Sequence, residues 1–160
     1  MTAKSLSGGC QCGALRYRID GGVRYPHLCH CRMCQKASGN YFMPLGASGR
    51  DAFTLTRGEP SWFQSSEHVR RGFCGTCGTP LFYDIPGMDF INITLGSLDE
   101  PQRIVPEAQS NLAQKMNWFS LLDALSVEAK QPESDATPVK NNQHPDHDTL
   151  HWPPQERRHD

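Results

Sequence analysis

No stretch of this 160-residue chain approaches the roughly 20 consecutive apolar residues that a membrane-crossing helix needs. An excess of one charge is missing as well: 16 Lys and Arg stand against 17 Asp and Glu, a formal net charge of -1. Nucleic-acid binders neutralise phosphates with clustered cations, so no nucleic-acid partner is expected, and no membrane partner either. The N-terminal MTAKSLSGG has neither an apolar run nor a small-residue cleavage site behind one, which makes a cytoplasmic location the expectation. Helical periodicity is scarce: only Glu107 to Leu125 shows it, modestly, and a short helix fits Met33 to Ser38.

Aliphatic residues are what the C-terminus lacks. After Lys130 comes QPESDATPVKNNQHPDHDTLHWPPQERRHD, polar and Pro-rich. Such a segment buries too little apolar area to offset the entropy of ordering it, so a solvated tail is expected unless a surface or a partner subunit pins it. Trp152, next to Pro153 and Pro154, is the obvious anchor. His144, His147, His151 and His159 also fall here, and a weak metal-binding tract is the alternative to simple solvation. The expected organisation is one folded domain over 1–129 followed by a polar tail over 130–160.

Within the first part, GALRYRID alternates Leu15, Tyr17 and Ile19 with Arg16 and Arg18, the period of a half-buried strand. YFMPLGA, AFTLTRG, SWFQSS, VRRGFC, PLFYDI and FINITLGSL are similar short segments separated by Gly, Pro or Asp. Short strands with frequent turn signals predict an all-β domain with little helix.

The seven cysteines are plentiful for a reducing compartment, where clustered thiols bind metal or do chemistry more often than they pair. FCGTCGTPL presents Cys74 and Cys77 as a C-x-x-C knuckle, with Gly78 free to take the positive φ such a turn requires. Cys10 and Cys12, two apart and followed by Gly13, are the natural second pair of a closed four-thiolate zinc site. Buried apolar thiols or a redox pair are the other readings of these four. That count leaves CHCRMC, with Cys29, Cys31 and Cys34, as a group of three. Catalytic zinc sites keep three protein ligands and one open position, so an open zinc site is one reading. A closed site completed by His30 or another side chain, and a metal-free site with Cys31 or Cys34 as redox nucleophile, are the others.

GGCQCGALRY, CHCRMCQKASG and FCGTCGTPLFY, followed by GSLDEP at Gly96 to Pro101, resemble the glutathione-dependent formaldehyde-activating enzymes. These are also called S-(hydroxymethyl)glutathione synthase-like proteins and share a domain with centromere protein V. The similarity runs from about Leu6 to Trp118 and takes in all seven cysteines in order. It implies an Mss4-like β-tent of antiparallel sheets around a structural zinc held by Cys10, Cys12, Cys74 and Cys77. It also implies a catalytic zinc at Cys29, Cys31 and Cys34, two Zn2+ in all. One departure is visible: many members carry a histidine near the position of Gln109.

The activity implied is that of a carbon-sulfur lyase. A thiol such as glutathione would bind at the three-cysteine zinc and add to formaldehyde or a related small aldehyde, giving an S-hydroxyalkyl thiol. A zinc with three thiolate ligands is electron-rich, a weak activator of water better suited to binding a thiol as thiolate. Arg32, Lys36, Arg70 and Arg71 are the candidates to meet the carboxylates of glutathione. A non-catalytic zinc-binding interaction or thiol-carrier module is the alternative, and a thiol redox enzyme a third; homo-oligomerisation is left open.

Overall fold

The computed structural model describes residues 5–126 and 141–153. The protein is mostly β, as expected. Strands β1 (Leu6–Gly9), β2 (Arg16–Ile19) and β5 (Phe53–Arg57) form a three-stranded antiparallel sheet in the order β1-β2-β5. A seven-stranded sheet contains β3 (Arg24–Cys29), β4 (Met43–Gly49), β6 (Ser61–Gln64), β7 (Arg70–Phe73), β8 (Pro80–Asp84), β9 (Phe90–Thr94) and β10 (Ala108–Ser110). Its order is β10-β3-β4-β9-β8-β7-β6, antiparallel except for the β10/β3 pair. The α-helix among the described residues is α1 (Arg32–Ser38), and none is long and apolar enough to cross a membrane.

The seven segments with strand periodicity appear as β2 and β4 to β9. β3 was hidden by Pro26, which cannot donate to a ladder. It is accommodated where the register shifts between Arg24 and His27, with Tyr25 in a left-handed conformation (φ 47). The helix expected over Glu107 to Leu125 is replaced by β10 and by 3-10 turns at Leu112–Gln114 and Phe119–Ala124. The backbone there is taken up elsewhere: Glu107 N donates to Pro26 O and His30 N donates to Ser110 O. Asn111, left-handed at φ 58, then ends the strand.

Period-two alternation splits the seven-stranded sheet into two faces. Gly72, Phe82, Ile93 and Gly46 lie in register on one face, against a core that includes Leu15, Tyr17, Ile19 and Leu81. A Cβ at position 72 would stand 2.7 Å from the Phe82 ring, so this close approach requires glycine. On the opposite face Arg71, Tyr83 and Asn92 lie in register, near Met43 and Leu45. The two cysteine groups divide the same way, with Cys10 and Cys74 in the larger core and Cys29 and Cys34 in the smaller.

The boundary expected near residues 129 and 130 lies outside the described residues, as does His159. Residues 141–153 pack on the body of the protein. His144, expected to be solvated, is buried, while His147 and His151 are exposed.

Candidate metal centres

Cys10 and Cys12 occupy the β1–β2 loop of the small sheet, and Cys74 and Cys77 the β7–β8 loop of the large one. Positive φ at Gly13 (79) and Gly78 (78) lets each loop turn back on itself, and Gly78 N donates to Cys74 O. The four sulfurs lie within 4.8 Å of one another, with Cys10 and Cys12 Sγ 3.6 Å apart and Cys12 and Cys74 Sγ 3.9 Å apart. Tetrahedral zinc with 2.3 Å bonds to sulfur sets its ligands about 3.8 Å apart, so the set fits that ion. The thiols differ in their ease of ionisation. Burial, with neighbouring thiols, pushes Cys12 up to about 12. Burial also opposes ionisation of Cys77, but hydrogen bonds from the Thr79 side chain and backbone outweigh it and bring the thiol down to about 6. A cation between the sulfurs removes the repulsion that keeps such neighbours protonated.

The C-terminal segment lies over this loop. Three successive carbonyls of the β1–β2 loop are each capped: Gln11 O by His144 N, Cys12 O by Trp152 Nε1, and Gly13 O by Arg57 Nη1. Arg57 also reaches Thr149, and the buried Arg16 joins Asp99 to Asp148. The Trp152 indole ties the segment to Cys12 O while its ring stays largely exposed, and the residue of the segment that is buried is His144.

The second group is local. Cys29 ends β3, Cys31 caps α1 by accepting from Cys34 N at 3.3 Å, and Cys34 lies in the first turn of the helix. Their sulfurs also lie within 4.8 Å of one another, and among the described residues no imidazole or carboxylate joins them. Three thiolates at this spacing could hold a metal such as zinc and leave it a further position. His30, the candidate fourth ligand, turns away: its Nε2 donates to Gln109 Oε1 at 3.0 Å, and its ring packs edge-on to Phe119. Gln109 therefore contacts the trio's loop through His30.

Arg71 Nη2 donates to Cys34 Sγ and Nη1 to Met43 Sδ, both at 3.4 Å, while Nε holds Ser65 Oγ. Its guanidinium lies 5.1 Å from the centroid of the Tyr83 ring, and the residue is 7% exposed. Burial pushes Cys34 up to about 12 despite Arg71. Burial opposes ionisation of Cys29, but hydrogen bonds, first with the Cys31 backbone and then with the Ser110 side chain, outweigh it and hold the thiol below its ordinary value. A cavity of about 300 Å³ opens over the sulfurs, walled by Met33, Leu45, Val69, Arg71 and Tyr83.

Of the four candidate cations, Arg71 alone lines this cavity. Arg70 points to the other face, where it pairs with Asp84 at 2.7 Å and stacks over Trp62. Arg32 and Lys36 are exposed on α1, Arg32 reaching Gln35. Sequence reasoning did not find Asn111, whose Nδ2 lies 3.3 Å from Cys29 Sγ, or His27 and Tyr83, which line the cavity. No cysteine spacing points to them, because strand pairing brings them in.

The arrangement has counterparts. A Rhodobacter sphaeroides protein solved as a structural genomics target superposes with a TM-score of 0.51 at 16% identity, over 65% of this chain and 99% of its own, which bears on fold alone. A Penicillium rubens protein is 30% identical over 61% of this chain, and a Halomonas elongata protein 28% identical over 72% of it. Both have been assigned the name glutathione-dependent formaldehyde-activating enzyme; the chain matches about 60% of the length of the first and 80% of the second. The profile of the family described as "Glutathione-dependent formaldehyde-activating enzyme" matches residues 5–114. With both cysteine groups inside that span, the chain belongs to the glutathione-dependent formaldehyde-activating enzyme family.

Proposed function

We propose that this protein joins a small thiol such as glutathione to formaldehyde or a related aldehyde, and cleaves the adduct in reverse, a carbon-sulfur lyase reaction in a reducing, cytoplasmic compartment. The observation that supports it most is the contrast between a filled set of four sulfurs and a set of three facing a cavity beside a buried arginine. Cys10, Cys12, Cys74 and Cys77 would hold one zinc for structure, and Cys29, Cys31 and Cys34 a second for catalysis. When bound, the second zinc supplies a site where a thiol coordinates as its nucleophilic thiolate.

The remaining work falls to the chain. Arg71, beside Cys34, offsets the negative charge of three thiolates and is the cation best placed for a substrate carboxylate; Arg32 and Lys36 would act from α1. Met33, Leu45 and Val69 exclude water and hold the thiol near its aldehyde, which raises their effective concentration. In the addition a bond forms between sulfur and the carbonyl carbon. The carbonyl π pair moves to oxygen, which gains the proton the thiol gave up.

The test uses cobalt-substituted protein, titration with glutathione, and exchange NMR of 13C-formaldehyde between its free and thiol-bound forms. The expected result is two metals per chain, one spectrum altered by glutathione, and exchange faster than in buffer. Thiol binding without faster exchange would replace the enzyme with a thiol carrier. No thiol binding would leave a zinc-binding interaction module.

A further inference from the structure

Asn111 adopts a backbone conformation (φ 58, ψ 46) that side-chain-bearing residues disfavour and that asparagine tolerates better than most. Its surroundings hold it there. Before it, Ser110 pairs with Cys29 in the parallel ladder, and Gln109 accepts from His30. After it, Gln114 accepts from Arg32 N through its side chain and from Gln35 Nε2 through its carbonyl. The segment is stitched to the cysteine loop on both sides, and the left-handed turn between brings the Asn111 amide to Cys29 Sγ at 3.3 Å, with Ser110 Oγ at 3.4 Å.

Each sulfur of the trio has a nitrogen donor beside it, and the left-handed turn adds a side-chain amide at Cys29. Cys31 takes the backbone N–H of Cys34, Cys34 takes the Arg71 guanidinium, and Cys29 takes Asn111. Thiolates held within 4.8 Å repel one another, and donors to each draw off part of that charge. Donors of this kind fix the ligand's direction and its basicity at metal sites. The first two come from the helix turn and from β7. Cys29 also has the Cys31 backbone and the Ser110 side chain beside it, and Asn111 adds an amide donor from a separate segment through a left-handed residue.

We propose that Asn111 is a positioning residue of the three-cysteine site: its amide fixes Cys29 Sγ toward Cys31 and Cys34 and tempers its charge, so that all three sulfurs hold a metal whose remaining position stays open to a thiol. The inference rests on the reading of the trio as a thiol-accepting metal site, and it adds a residue that the cysteine motifs do not contain.

The experiment uses the full chain with Asn111→Gly, which keeps the left-handed backbone and removes the donor, and Asn111→Asp, which keeps the shape and sets an anion against the sulfur. Metal affinity at each site is measured by chelator competition, and the sulfur-to-cobalt absorption reports on the three coordinated sulfurs together. Both variants are expected to melt like the wild type and to keep the four-cysteine metal. Affinity at the three-cysteine site falls about tenfold in the glycine variant and further in the aspartate variant, with a shifted absorption band. If the aspartate variant fails to fold, the glycine variant decides. Two metals in the wild type, with wild-type affinity and spectrum in the variants, would overturn the role of Asn111 alone. A wild-type chain that takes up one metal would overturn the reading of the trio, and this inference with it.

Discussion

The four-cysteine and three-cysteine groups use the same ligand atom at similar spacing, yet they are built differently. The first draws two sulfurs from a loop of the small sheet and two from a loop of the large one, and its Cys10 and Cys74 belong to the main core. The second draws all its sulfurs from Cys29 to Cys34. A metal in the first joins distant parts of the chain, from Cys10 to Cys77; a metal in the second closes a few residues. Loop-closure entropy alone makes the first cross-link worth about 2 kcal/mol more. The difference teaches that a metal's weight in folding follows from what its ligands connect.

The largest expected effect is at Cys77. Structural zinc supplies about 10–16 kcal/mol of apparent folding free energy, as much as a domain's whole stability. Cys77→Ser should therefore lose its cooperative thermal transition and both metals. Cys34→Ala should instead stay folded, keep one metal per chain by elemental analysis, and show no glutathione-dependent change in its cobalt spectrum. Equal unfolding in the two variants would erase the comparison and make both sites structural.

How far the sequence discloses these sites follows from the range of the interactions. The cysteine spacing shows the C-x-x-C knuckle, the C-x-C pair and the trio, because each is a local device, and β2 and β4 to β9 are marked by alternation or by β-branched and aromatic residues between turn signals, even where, as in β6, the strand is exposed on both faces. β3 escaped because Pro26 and the left-handed Tyr25 interrupt its pattern at a register shift. Residues Ala108 to Ser110 show no strand signal of their own, since their pairing with β3 is long-range and parallel. Asn111 is invisible for the same reason. Arg70 and Arg71 looked equivalent until strand register sent them to opposite faces.

The C-terminal segment sharpens the comparison, because it contacts the four-cysteine loop. Gln11 O and Cys12 O accept from His144 N and the Trp152 indole, and the His144 side chain is buried against Gly13. His144→Ala combined with Trp152→Phe should lower stability by ~2 kcal/mol through lost packing and a lost hydrogen bond. Chelator should then extract the four-cysteine metal faster, with extraction from the trio unchanged. Equal acceleration at both sites would mean that the segment acts on the fold as a whole.

The smallest effect separates the two adjacent arginines. Arg71 lies against Cys34 Sγ in the cavity, whereas Arg70 is bound to Asp84, a carboxylate that is 1% exposed and that also holds Arg50. Arg71→Met keeps an unbranched stem against Tyr83 and removes the charge. Glutathione affinity, read from the cobalt spectrum, should fall about tenfold, equivalent to about 1.4 kcal/mol, with little change in melting temperature. Arg70→Met should do the reverse, lowering the melting temperature by leaving Asp84 with Arg50 as its remaining cation while glutathione binds as before. A general electrostatic attraction for an anionic thiol would weaken equally in both variants, since each loses one positive charge. Unequal losses would instead assign the thiol's recognition to the face of the sheet that carries the three sulfurs.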